Sequence, residues 1–243
     1  MVIKHPGHAD ARAPLGTAQP VGKTPPEADT SDDASLNKRM FADRDLSPRI
    51  SQNITDALMS RVILPGLAAL PTHENIPKQG AASQEQFLEW SAMHFDNATA
   101  GEARRAFALT LAATFERHLR RWMFRHKTPK AGKMTFDALL AAGLERIPKE
   151  TDYSFIAATL SELVLVGNVL RHGNGRSVTA LRHQSPDLWH DTPEEDHPWL
   201  EDTYLHAELM RVDEERIRRY GNAIVQFWGA ADELTGTINA PRY

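Results

Sequence analysis

The sequence predicts an all-α protein, with a helical bundle of about five main helices in residues 48–243 and a disordered tail at residues 1–47. From residue 48 onward, apolar residues recur at spacings of three and four, which is the period of an amphipathic helix. No pair of alternating runs around a turn indicates a β-hairpin. The tail is rich in proline and poor in large apolar side chains, so it cannot bury enough surface to offset its ordering entropy.

Two helices are predicted before the middle of the chain. The first carries four apolar residues on one face, namely Ile50, Ile54, Leu58 and Val62. Pro65 interrupts this pattern because proline lacks the backbone N–H that a helix interior requires. Ser83, with Gln86 three residues later, predicts a capping box that opens the second helix.

Three more main helices are predicted at residues 99–126, 153–172 and 204–232, and a short helix is predicted at 135–147. The helix at 99–126 shows the longest amphipathic stripe, which consists of Phe107, Leu111, Phe115, Leu119 and Trp122. The helix at 153–172 is apolar nearly all round, which is typical of a central helix. Residues 173–203 are expected to be irregular, because histidine, aspartate and proline are frequent there.

Composition excludes several classes of protein. The chain contains 41% apolar and 25% charged residues and no cysteine, so disulfide scaffolds, cysteine nucleophiles and thiolate zinc sites are excluded. No uninterrupted apolar run reaches the roughly 18 residues of a membrane span, and the N-terminus lacks the apolar region of a secretory signal. We therefore expect a cytoplasmic protein without a membrane segment. Phosphate-binding loops and hydrolase motifs are absent from the sequence.

Charge is divided unevenly along the chain, although the net charge is only −4. Residues 104–133 contain nine Lys/Arg and a single acid, Glu116, whereas residues 187–215 contain eleven Asp/Glu and a single base, Arg211. One interpretation is that the two segments form solvated faces that neutralise each other, within or between subunits. The other is that the basic segment forms a surface that binds phosphate groups.

Polar residues cluster at the end of the apolar helix, in the run GNVLRHGNGRS at residues 167–177. Asn168 and His172 are four residues apart and share a helical face, and Arg171 lies beside them. A helix C-terminus stabilises cations, so the cluster is a candidate functional site. The alternative is that these side chains satisfy buried partners and cap carbonyl groups, while the glycines end the helix.

The run NVLRHGNGRS resembles the signature Asn-x-x-Lys/Arg-His-Gly-x-Gly-x-Ser, which ends the central helix in bacterial helical domains of the HEPN superfamily. The resemblance covers residues 84–183. It implies a small helical bundle, a homodimer, and a role in toxin–antitoxin or antiphage defence. Active members cleave RNA without a metal through Arg-x(4–6)-His. In that register Gly167 stands at the arginine position, Asn168 at the polar position and His172 at the histidine.

The resemblance implies that His172 acts as the base that takes a proton from an RNA 2′-hydroxyl, with Arg171 and Asn168 beside it. Glu116 is expected to pair with Arg171 or His172, or alternatively with Arg120 four residues along its own helix. Candidate contacts to the RNA backbone are Arg117, Arg120, Arg121, Arg125 and Arg176.

Partners and cofactors follow from the same residues. We expect RNA, a second copy of the chain, and a cognate antitoxin or defence-system protein as partners. Gly167, in the middle of an apolar helix, predicts a close helix approach, which favours the dimer. The alternative function is a catalytically inactive dimeric module that binds a protein or nucleic acid. No cofactor is expected, and His183, His190 and His197 match no metal-binding spacing.

Overall fold

Within residues 45–243, the residues that the structure describes form an all-α bundle, as the sequence predicted. The computed structural model describes residues 45–73, 82–148, 153–173, 175–189, 209–234, 236–241 and 243. Within these ranges the α-helices are α1 (Ser47–Leu58), α2 (Leu64–Ala68), α3 (Gln84–Arg125), α4 (Phe136–Leu144), α5 (Ser154–His172), α6 (Arg176–Gln184) and α7 (Glu214–Ala231). Over the same residues, β-pairing is limited to an isolated bridge between Trp189 and Met210. The predicted tail lies outside the described residues except for residues 45–47.

Helix α1 buries a polar face, and the apolar face that its spacing predicted is largely exposed. Ile50, Ile54 and Val62 are exposed, and Leu58 is half-buried. The buried positions of α1 are Pro48, Ser51, Gln52 and Thr55. Burying the Gln52 amide costs little because its Nε2 donates to the carbonyl oxygens of Val225 at 2.9 Å and Ile238 at 2.8 Å.

Helix α3 is one continuous helix of 42 residues, about 63 Å long, where the sequence predicted two separate helices. Ser83 caps it as predicted, since its side-chain oxygen accepts the Gln86 N–H at 3.2 Å. The first buried residue of α3 is Ala100, and the four turns before it expose Phe87, Leu88 and Phe95. The second half of α3 buries Leu111, Phe115, Leu119 and Trp122 of the predicted stripe.

Helix α5 is the central helix, as predicted, and packs against α3, α4, α6 and α7. It is long and apolar enough to cross a membrane by length and composition, although uninterrupted apolar runs in the sequence are shorter. In the bundle, Leu160, Leu163 and Val164 are fully buried among the neighbouring helices. A core helix is apolar on most sides because most of its sides are buried against other helices. The packing of α5 therefore explains its apolar composition.

The C-terminal part of the chain departs from the predicted boundaries. Helix α6 lies within the stretch that was expected to be irregular. Helix α7 begins at Glu214, capped by the Asp213 carboxylate that accepts the Arg216 N–H at 2.7 Å, rather than at residue 204. Residues 209–213 are not helical, because Met210 pairs with Trp189 instead. Residues 190–208 lie outside the described residues.

A buried carboxylate joins α5, α6 and α7. Glu162 is 7% exposed, and its oxygens accept hydrogen bonds from Ser185 Oγ at 2.6 Å, Arg216 Nε at 3.1 Å, Arg219 Nη2 at 2.7 Å and the Tyr220 hydroxyl at 2.5 Å. Burial alone would raise the pKa of Glu162, but these donors outweigh burial and hold that pKa below its ordinary value. The charge is therefore fully paired within the core.

Replacing Glu162 with alanine is expected to lower the free energy of unfolding by about 3–5 kcal/mol, because two arginines lose their buried carboxylate. The stabilisation that the ionised Glu162 provides is present above the pKa of this carboxyl in the unfolded chain, near 4.5. It is lost as the pH falls through the lower pKa of Glu162 in the folded protein. Urea unfolding followed by tryptophan fluorescence measures both effects. The control, Glu215→Ala, changes an exposed acid of α7 and is expected to stay within about 0.5 kcal/mol; equal effects of the two variants would contradict the prediction.

Candidate functional site

The site begins where α3 and α5 cross. Gly167 of α5 is buried, and a Cβ atom added there would lie 2.8 Å from the Cβ of Ala112 in α3. Real Cβ atoms essentially never approach so closely, so the crossing requires glycine at position 167. The close approach that Gly167 predicted is thus made within one chain, and it no longer supports a subunit interface.

One helical turn beyond this crossing, Glu116 of α3 meets the end of α5. Arg171 Nη1 donates to Glu116 Oε2 at 2.8 Å, and Arg120 Nη2 donates to Glu116 Oε1 at 2.8 Å. Burial opposes ionisation of Glu116, but the two guanidinium groups outweigh it and hold the pKa of Glu116 below its ordinary value. Both alternatives predicted for Glu116 are therefore realised together.

A groove of about 710 Å³ runs along the outer side of α3 next to this ion pair. It is lined by Ala113, Glu116, Arg117, Arg120, Arg121, Phe124, Arg125 and Gly132. Four of the five arginines predicted to contact RNA therefore share one surface. We call this surface the arginine groove.

The arginines of the groove differ in how they are held. Arg120 is half-buried and donates to the carbonyl oxygens of Ala131 at 2.8 Å and Met134 at 3.1 Å, so it is part of the scaffold. Arg117, Arg121 and Arg125 are exposed. Arg125 contacts the side chains of Asp45 and Ser47, whereas Arg121 pairs with no acid among the described residues.

Phe124 is 75% exposed on the same surface. It lies one turn from Arg121 and Arg120, off the buried stripe of α3. Like charges at i and i+4, such as Arg117 and Arg121, destabilise a helix by a few tenths of a kcal/mol. Cationic side chains beside an exposed aromatic ring can bind a ligand that carries both negative charges and aromatic rings. The cations attract the charges, and the ring of Phe124 stacks on the ligand's rings.

The other predicted site residues lie outside the groove. His172 is the last residue of α5 and is exposed, Asn168 is half-buried, and Arg176 is the exposed first residue of α6. None of the three is hydrogen-bonded through its side chain within the described part of the chain. His172 is adjacent in sequence to Arg171, so the Arg171–Glu116 pair connects the end of α5 to the arginine groove.

The acidic segment does not neutralise the basic helix through its described residues. Asp187 pairs with Arg216, and Glu214 pairs with Arg218, so both take partners from α7. Asp213 caps α7. Among the described residues, the arginine groove therefore carries more basic than acidic side chains.

His118 and Phe124 were not predicted as site residues. His118 is 7% exposed, and its Nδ1 is buried without a hydrogen-bond partner in the described structure. Burial, followed by the charges of Arg117 and Arg121, lowers the pKa of His118, so it stays neutral behind the groove. A sequence signal existed only for Phe124, which is an aromatic residue off the apolar stripe.

A metal site receives no support from the described residues, which contain no group of three or more suitable side chains. His183 lies near the end of α6 and is exposed. His190 and His197 lie outside the described residues.

No family model, curated protein or solved structure matches the chain. The functional interpretation therefore depends on the geometry of the arginine groove and the end of α5.

Replacing Gly167 with alanine is expected to destabilise the fold by about 1–3 kcal/mol through overpacking, although alanine is otherwise the better helix former. The second variant, Ala112→Gly with Gly167→Ala, removes the clash and should recover part of the loss. Gly132→Ala is the matched control, because an added Cβ there meets no atom within 4 Å. Thermal unfolding measures all three, and a Gly167→Ala variant more stable than wild type would show that the crossing is not tight.

Proposed function

We propose that this protein binds single-stranded RNA through the arginine groove. The observation that carries the proposal is the placement of Arg117, Arg121 and Arg125 with the exposed Phe124 on one surface. The groove's acid, Glu116, is already bonded to two arginines, so it does not repel phosphate as a free carboxylate would. The resemblance to RNA-cleaving helical domains supports RNA as the ligand.

The chemistry of the groove suits an unpaired strand. Exposed guanidinium groups bind backbone phosphates and release counterions, which provides affinity without sequence preference. A base that is not paired is free to stack on Phe124, and such stacking contributes about 1–3 kcal/mol. A duplex hides its bases from such a ring, so single-stranded RNA should bind better than double-stranded RNA.

Removing the groove's cations is expected to weaken binding and to reduce its salt dependence. For Arg117→Ala with Arg121→Ala, the slope of log K against log salt should fall by about 0.7 for each lost phosphate contact. Phe124→Ala should weaken binding at least about fivefold while leaving that slope unchanged. Fluorescence anisotropy with a labelled uridine oligonucleotide measures both quantities.

The controls are matched by residue type and exposure. Arg61→Ala removes an exposed arginine outside the groove, and Phe155→Ala removes an exposed phenylalanine of α5. Neither should change the affinity. Binding that falls equally in the groove variants and the controls, or wild type that binds no RNA, would refute the proposal.

Cleavage of the bound RNA is a second candidate function, favoured by the exposed imidazole of His172 at the end of α5. In the proposed step, His172 takes the proton of a 2′-hydroxyl, and the resulting oxygen attacks the adjacent phosphorus. The 5′-oxygen then leaves and is protonated by water, which produces a 2′,3′-cyclic phosphate. Because Gly167 supplies no side chain and Arg171 is bonded to Glu116, the guanidinium that stabilises the transition state comes from the groove or from the exposed Arg176.

Incubating wild type with labelled RNA in the presence of EDTA is expected to yield fragments that end in cyclic phosphate, and His172→Ala should yield none. The control His183→Ala changes an exposed histidine of α6 and should cleave normally. Binding without cleavage in wild type would leave RNA binding as the function and eliminate the catalytic role of His172.

A further inference from the structure

The outward face of α3 carries exposed side chains from its first turns to its last turn. Leu88, Ala106 and Phe124 are exposed and are spaced by 18 residues, which is five full helical turns. They therefore lie on one line parallel to the helix axis. Phe95, at 72% exposed, and Thr99 also lie close to this line. Two large apolar side chains at one end and one at the other are thus presented to solvent.

This face is self-complementary in shape under a two-fold axis. If a second copy of α3 packs antiparallel with the axis at Ala106, Leu88 lies opposite Phe124 of the partner subunit. Phe95 then lies opposite the partner's Arg117, and the guanidinium of Arg117 can stack on the ring. At the centre, Ala106 meets the partner's Ala106, and two alanines allow the helices to approach closely.

The charges on the face are self-complementary as well. Glu85 and Glu89 are exposed on one flank of the line, and Arg121 and Arg125 lie on the same flank about ten turns further along α3. Antiparallel helices bring like flanks together, as in coiled coils. Glu89 of one copy then lies between the partner's Arg121 and the partner's Arg125. A parallel pair would instead leave Glu89 far along the helix axis from the partner's Arg121 and Arg125.

We infer that the protein forms an antiparallel homodimer through the outward face of α3, with the two-fold axis at Ala106. The acidic first turns of α3 in one copy lie against the arginine groove of the other. The occupant of this face is a second copy because the same helix supplies both halves of the match, the acids with Leu88 and the arginines with Phe124.

The dimer covers Arg121 and Phe124, so self-association and RNA binding exclude each other. This consequence rests on the proposed function, whereas the dimer itself does not. RNA is then bound by the monomer, and the fraction of protein that can bind RNA falls as its concentration rises.

The dimer is tested with the full chain by light scattering and sedimentation over a range of concentrations. Wild type is expected to approach twice the monomer mass of 27.2 kDa, and Ala106→Arg should remain a monomer, because it places two like charges at the axis. Ala141→Arg is the matched control, since it makes the same change at an exposed alanine of α4, and it should dimerise like wild type.

A charge exchange tests the antiparallel register. Glu89→Arg and Arg121→Glu should each weaken dimerisation at least about tenfold through like-charge contacts. The double variant should recover dimerisation, because the exchanged charges again attract. Raising the salt from about 0.1 M to about 1 M shortens the Debye length from about 10 Å to about 3 Å and should reduce all these differences.

The outcomes separate the two proposals. A wild type that is monomeric at every concentration, or a dimer that survives Ala106→Arg, overturns the dimer through α3. If wild type dimerises and monomeric Ala106→Arg binds no labelled uridine oligonucleotide, the proposed function fails while the dimer stands. If Ala106→Arg binds RNA more tightly than concentrated wild type, both are supported.

Discussion

The close crossing of α3 and α5 at Ala112 and Gly167 determines how the rest of the candidate site is arranged. Without a side chain at position 167, the two helices approach until an added Cβ would stand 2.8 Å from that of Ala112. One turn further along each helix, this approach brings Glu116 to Arg171. A larger residue at position 167 would separate the helices and with them the carboxylate and the guanidinium.

Two carboxylates organise the charge of the bundle in different ways. Glu162 is buried and neutralises Arg216 and Arg219 inside the core, where an unpaired charge would cost several kcal/mol. Glu116 lies at the edge of the core and forms ion pairs with Arg120 and Arg171. Glu116 is engaged by these two partners, so it does not neutralise Arg117 and Arg121, which are exposed.

Helix α3 serves three purposes through three faces. Its buried face supplies Phe115 and Leu119 to the core, and its flank supplies Glu116 to the ion pair with α5. Its outward face supplies the arginine groove and the proposed dimer surface. A helix of this length has room for all three because side chains about four residues apart return to the same face, so each face is a continuous strip.

The sequence by itself determined the helical class, the cap at Ser83 and the buried stripe of α3, because these depend on local spacing. It also indicated Glu116 as the acid that pairs with Arg171 or His172, or alternatively with Arg120, because Glu116 is the single acid of the basic segment. Only the tertiary structure decided the buried face of α1, because the backbone atoms that satisfy Gln52 are more than 170 residues away. The tertiary structure likewise decided that Glu162 binds side chains from the end of α6 and from α7. It also decided that Gly167 packs against Ala112 of the same chain. These outcomes depend on which distant segments of the chain pack together. The spacing of residues within one helix shows which side chains share a face, but not which other segment that face contacts.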